Sequence, residues 1–137
     1  MPHVVILYSG NLEQAPGADM SGLCRRLADA MLSVRDEAGV QVFPTGGVRV
    51  LAYPAAHFAV ADGSGEYGFI YINLRMGRGR SAQVQRQAGE ALTAATREHL
   101  APLLATRRLG LTLQVDEGPE VFDAKIGNLH PLFAKPH

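Results

Sequence analysis

Tyr67-Gly68-Phe69-Ile70-Tyr71-Ile72-Asn73-Leu74-Arg75-Met76-Gly77-Arg78-Gly79-Arg80-Ser81 reads as a strand that runs into a turn and then a helix. Phe69, Tyr71 and Asn73 alternate with Ile70, Ile72 and Leu74. Both sets are rich in apolar side chains, so the strand Tyr67 to Arg75 is expected at the centre of a sheet. Gly77-Arg78-Gly79 ends it, and Ser81 can cap a helix whose buried stripe is Val84, Ala88, Ala91, Leu92 and Ala95. Pro102 is expected to kink or end that helix. Leu109, Leu111, Leu113 and Val115 then alternate with polar positions in a last long strand.

The same order precedes it. His3 to Tyr8 is a short β-branched strand, broken by Ser9-Gly10-Asn11 and Pro16-Gly17. Met20, Leu23, Leu27, Met31 and Val34 recur at helical spacing, with Asp19 or Ser21 to cap the start and Gly39 to end it. Val42 to Gly47 is a turn region, Val48 to Tyr53 a strand stopped by Pro54, and Ala55 to Val60 a short strand or turn. The expected architecture is α+β: a duplicated β-α-β unit with pseudo-repeats at about 2–60 and 66–117 and a Gly- and Pro-bearing tail at 118–137. One four-stranded mixed sheet with two helices on one face leaves its other face bare. Strands apolar on both faces need a second cover, which is expected to be another subunit.

The chain has 137 residues, the length of one domain, with 47% hydrophobic and 19% charged residues. Lysine plus arginine equals aspartate plus glutamate at 13 each, which argues against a nucleic-acid binder held by bulk charge. Apolar runs such as Val4 to Tyr8 are far too short to span a membrane. No basic-then-apolar leader opens the chain, so a cytoplasmic protein is the expectation. Cys24 is the single cysteine, beside the apolar stripe of the first helix, and reads as a buried thiol rather than a nucleophile. His3, His57, His99, His130 and His137 show no paired metal spacing, and neither a Gly-x-Ser-x-Gly nor a phosphate-loop motif occurs. No metal and no cofactor are expected.

Eleven of the 13 basic residues are arginines, the lysines being Lys125 and Lys135. No acid lies between Glu37 and Asp62, where Arg49 sits, nor between Glu66 and Glu90, where Arg75, Arg78, Arg80 and Arg86 sit. Arginines without local acidic partners suit an anionic ligand. The turn at 77–81 strengthens this, because glycines let backbone amides approach an anion at a helix start and Arg80 adds a forked donor. Pro2 is the other unusual residue. Methionine before a small residue is normally removed, which leaves a secondary amine whose ordinary pKa, about 7.7–8.0, lies near neutrality. Nearby cations or burial lower it further, and such an amine can accept and return a proton.

Met1-Pro2-His3, Val42-Phe43-Pro44 through Gly47-Val48-Arg49, Tyr67 to Leu74 and Gly77-Arg78-Gly79-Arg80-Ser81 together resemble the 5-carboxymethyl-2-hydroxymuconate isomerase family of the tautomerase superfamily. The resemblance extends to Gln87-Ala88-Gly89-Glu90 and to Asn128-Leu129-His130-Pro131-Leu132-Phe133. It implies a trimer with inward-facing sheets, Pro2 as catalytic base, Arg49 and Arg80 as holders of substrate carboxylates, and cofactor-free proton transfer on a small anionic acid in homoprotocatechuate breakdown. The chain departs from the family pattern in a longer stretch around Ala15-Pro16-Gly17, which follows the first strand and is expected to reshape the pocket. It also departs at Tyr53, where a histidine can stand, and in the extra cation Arg78. Two other readings stay open: a superfamily enzyme acting on another unsaturated keto or enol acid, and a trimeric binding protein with a vestigial site.

Overall fold

β1 (His3–Ser9) lies inside a four-stranded sheet of order β2-β1-β3-β4, with β2 at Arg49–Ala55, β3 at Tyr67–Met76 and β4 at Arg108–Glu117. The computed structural model describes residues 2–134, so Met1, Lys135 and His137 lie outside it. β1 runs parallel to β2 and antiparallel to β3, and β3 runs parallel to β4. The expected central strand at Tyr67 is central, and the sheet is mixed as the duplicated unit requires.

α1 (Met20–Ser33) and α2 (Ala82–His99) cover one face. Val4, Ile6 and Tyr8 of β1 and Ile70, Ile72, Leu74 and Met76 of β3 are at most 3% exposed and pack in one cluster with Leu23, Leu27, Met31, Ala88 and Leu92. Each large aliphatic side chain so buried contributes about 1.5–3 kcal/mol. Ser81 caps α2 as expected, its hydroxyl accepting from the Val84 N–H at 3.2 Å. Asp19 rather than Ser21 caps α1, accepting from Gly22 N–H at 3.1 Å while its own backbone is left-handed, φ 39°. A short polar side chain tolerates that region better than most.

Two local expectations are corrected, one is borne out and one is extended. Gly39 does not end α1, which stops at Ser33. It sits at φ 79° in the turn that Asp36 closes by accepting from Ala38 and Val40 N–H. Pro54 does not stop β2 but lies within it, opposite Tyr8. β2 is an edge strand, where a missing N–H costs no ladder bond. Pro102 does break the second helix, yet the chain resumes at once as α3 (Ala101–Thr106), with the proline in the first turn where no N–H is needed. The stripe of α2 also includes Thr96, buried at 1%, whose hydroxyl donates to Leu92 O at 2.7 Å.

The other sheet face carries Val5 and Leu7, Leu51 and Tyr53, and Phe69 and Tyr71, as the strand register dictates. No element of the described chain covers it: Leu7, Tyr53 and Tyr71 are 46%, 53% and 55% exposed.

Candidate active site

Sheet topology gathers four chain segments at one end. A parallel neighbour begins where β1 begins, and an antiparallel one ends there. His3 is therefore level with Arg49, the first residue of β2, and with Arg75 near the end of β3, which is in turn level with Asp116 of β4. Pro2 immediately precedes β1 and is buried. The turn 77–81 leaves the same end of β3.

Four arginines crowd this end, and their partners separate them. Arg75 meets Glu120 at 3.7 Å. Arg78 Nε donates to Gly118 O at 3.3 Å, and Gly118 N–H donates to Met76 O at 2.9 Å, so the extra cation fastens the start of the tail. Among the described residues, Arg49 donates only to Gly47 O, at 3.2 Å, and Arg80 only to Gly77 O, at 3.4 Å. Among the described residues neither Arg49 nor Arg80 has a carboxylate partner.

Arg80 is held ready in a particular way. Gly79, at φ 107°, takes a backbone conformation that other residues rarely adopt and turns the chain back. The guanidinium then lies over the Phe43 ring, 4.9 Å from its centroid, and Phe43 itself is fully buried. Gln85 Nε2 donates to Arg80 O at 3.2 Å and also to Glu117, tying the turn to the end of β4. Burial pulls the Arg80 guanidinium below its usual range. A cation that has lost hydration without gaining a counter-ion favours an anionic ligand. Phe43 and Gln85 were not singled out by sequence reasoning. The usable signal was a large apolar side chain in a turn of Pro and Gly.

The tail completes the end. The 3-10 turn Thr45–Gly47 leads into β2, and the 3-10 turn His130–Phe133 packs on it so closely that a Cβ on Gly46 would stand 3.1 Å from His130 N and Cα. A cleft of about 510 Å³ lies between Arg49 and the tail residues Asp123 to His130.

Three other expectations fall elsewhere. Tyr53 is four residues along β2 from Arg49, about 13 Å away, and faces the bare side of the sheet opposite Leu7. The longer stretch around Ala15-Pro16-Gly17 leaves the far end of β1, and Gly17 packs against Pro102 and Leu103. Within the protomer it does not reshape the end that carries Pro2, because seven strand residues, about 23 Å, intervene. Cys24 is half-buried rather than buried, and burial pushes its thiol up, away from the thiolate a nucleophile needs. Among the described residues no three His, Cys, Asp or Glu side chains group as a metal site would require, and no helix is long and apolar enough to cross a membrane.

Comparison with known proteins shows the family and the fold. The family model for 5-carboxymethyl-2-hydroxymuconate isomerase matches residues 2–133. The Escherichia coli 5-carboxymethyl-2-hydroxymuconate Delta-isomerase is 30% identical over 133 residues, 97% of this chain and 99% of that one. A crystal structure of a 5-carboxymethyl-2-hydroxymuconate delta-isomerase is 63% identical, with TM-score 0.93 over 100% of this chain and 95% of that one. The isomerase from Deinococcus radiodurans R1 is 32% identical, with TM-score 0.85 over 98% and 95%. A fused 4-OT solved as a symmetric trimer, 21% identical with TM-score 0.57 over 96% of each chain, shares the fold alone.

Proposed function

The chain belongs to the 5-carboxymethyl-2-hydroxymuconate isomerase family, and we propose that it isomerises this acid with the N-terminal amine of Pro2 as its base. The observation that carries the site is the division of the four arginines. Arg75 and Arg78 are engaged by the tail, which leaves Arg49 and Arg80 for substrate.

The substrate carries three carboxylates on a conjugated dienol. Arg49 and Arg80 hold two of them, which fixes the carbon skeleton over Pro2 and draws electron density toward the arginines as the dienolate forms. The amine accepts the proton that leaves the dienol and returns it to carbon at the other end of the conjugated system, and the double bonds shift by one position. No electron pair leaves the substrate, so no redox group is called for. While Met1 is attached the nitrogen is an amide and cannot accept a proton, so its removal switches the site on.

A homotrimer goes with this reading. The apolar residues on the uncovered sheet face, Leu7, Tyr53 and Tyr71 among them, favour burial against further copies of the chain. The role is cytoplasmic, in homoprotocatechuate catabolism. The test is the ultraviolet-monitored isomerisation of 5-carboxymethyl-2-hydroxymuconate by protein shown by mass to begin at Pro2, beside Pro2→Ala. A loss of about 10²–10⁴ in rate is expected. Near-normal turnover by the alanine variant would remove the amine from the reaction.

A further inference from the structure

The tail is pinned at two places. Gly118 and Glu120 are held to the end of β3 by Met76, Arg78 and Arg75. His130 is seated on Gly46, just ahead of β2. In the sheet order β2-β1-β3 these anchors stand on either side of the start of β1. Residues 121–129 span the gap between these anchors as an exposed strap, with 123–130 facing Arg49 across a cleft. Lys125 is midway along the strap, paired with Asp123, and both line the cleft of about 510 Å³ whose other wall is Arg49.

A tricarboxylate brings three negative charges, and Arg49 and Arg80 answer two. A third carboxylate against the tail would be left without a cation of its own unless the tail supplies one. We propose that the cleft under the tail is the subsite for the carboxymethyl arm, with Lys125 as the cation that binds its carboxylate. The proposal rests on the substrate assigned above. Asp123 occupies Lys125 in the empty protein, and the arm's carboxylate takes its place. Asn128 and His130, on the same wall, add donors. The acid–base pair thus becomes a specificity device. An acid lacking the arm leaves Lys125 with Asp123, whereas the full substrate exchanges one carboxylate for another.

A merely structural ion pair is weakened in the same way by loss of either partner. A subsite is not: losing the cation weakens substrate binding, and losing the competing carboxylate strengthens it. Steady-state kinetics with 5-carboxymethyl-2-hydroxymuconate would compare wild type, Lys125→Ala, Lys125→Arg and Asp123→Asn. The KM is expected to rise about fivefold in Lys125→Ala and to fall about twofold in Asp123→Asn, as befits a solvent-accessible charge pair. Lys125→Arg restores it, and kcat moves less than KM throughout. Shifts of KM in the same direction for Lys125→Ala and Asp123→Asn, or no shift in either, would overturn the subsite. If the wild type binds the acid without turning it over, the assigned reaction fails separately, and the same opposed shifts are then read as Kd by calorimetry.

Discussion

Replacing Arg80 by alanine separates the two things this side chain does. Toward the fold it contributes one long backbone bond, at 3.4 Å to Gly77 O, and a stack on Phe43 at 4.9 Å. A cation over an aromatic face is worth about 0.5–1 kcal/mol when partly exposed. Against this stands the cost of its own desolvation, seen in the downward pull on its pKa. The variant is therefore expected to lose no more than about 1 kcal/mol, or about 3–4 °C in Tm for a chain of this size. Toward the substrate the side chain supplies a charge-assisted hydrogen bond to a carboxylate, worth about 1.5–3 kcal/mol. That converts to a fall in kcat/KM of about 10–150-fold. Arg80→Lys keeps the charge but gives up the planar fork and the stack, so it should recover only part of the loss.

The assay is kcat/KM on 5-carboxymethyl-2-hydroxymuconate, paired with a thermal melt, and with Arg26→Ala as a reference. Arg26 meets Glu98 at 3.6 Å on the outer surface of the helix layer, where an ion pair contributes about 0–1 kcal/mol. Two results would refute the reasoning. An Arg80→Ala enzyme within twofold of wild type in kcat/KM has no substrate contact there. An Arg80→Ala protein whose activity falls only in step with a Tm lowered by tens of degrees owes its loss to unfolding.

Three further perturbations test the scaffold. Leu7→Glu puts a charge at the middle of the bare sheet face, and sedimentation at micromolar concentration should shift from the proposed trimer to monomer; an unaltered oligomer would mean that this face is not the interface. Gly68→Ala brings a Cβ to 3.0 Å from Leu12 Cδ2 and 3.1 Å from Ser9 Oγ, the atom that accepts from Phe69 N–H. It should cost about 1–3 kcal/mol, read as a lower urea midpoint at constant slope. Tyr8 is pushed up to about 12, chiefly by burial and then by its hydrogen bond to Glu13. Its folded form holds the proton where the unfolded chain, near pH 10, has lost it. Stability should therefore be complete below pH 10 and fall between pH 10 and 12, by at most about 1.4 kcal/mol per pH unit. Tyr8→Phe should lack that component, and equal alkaline slopes for the two proteins would count against it.

Local pattern carried far into this fold. Alternation marked β3 and β4, β-branched composition marked β1, and the stripes of α1 and α2 named most of their buried residues, because burial on a sheet face or a helix stripe imposes a period on the sequence. What did not show was whatever depends on a neighbour in space. Pro54 reads as a strand breaker until β2 is known to be an edge, and edge status is a property of the sheet. Thr96 reads as polar until its hydroxyl is seen to bond Leu92 O within its own helix. The resemblance picked out Arg49 and Arg80, but local pattern could not supply the structural reason, because Arg78 meets Gly118 across forty residues and Arg75 meets Glu120 across forty-five. Absence of nearby acids in sequence marked Arg49, Arg75, Arg78 and Arg80 alike. Their partners differ only once the tail has returned to the sheet end.

The duplication explains why the protomer has one such end and not two. β3-α2-β4 repeats β1-α1-β2, but β3 is antiparallel to β1, so the repeat points the other way. The position in the second half that corresponds to Pro2 is therefore at the opposite end, beside the Asp62-Gly63-Ser64-Gly65 turn, where the chain is continuous and its nitrogen is an amide. A free amine can occur only at the first repeat. The cations proposed to serve it come from both halves by the same geometry. Arg49 opens the strand parallel to β1, and Arg80 follows the strand antiparallel to it. β4, parallel to β3, delivers the tail to that end as well. Mixed strand direction is thus what lets one duplicated unit spend both of its halves on a single site.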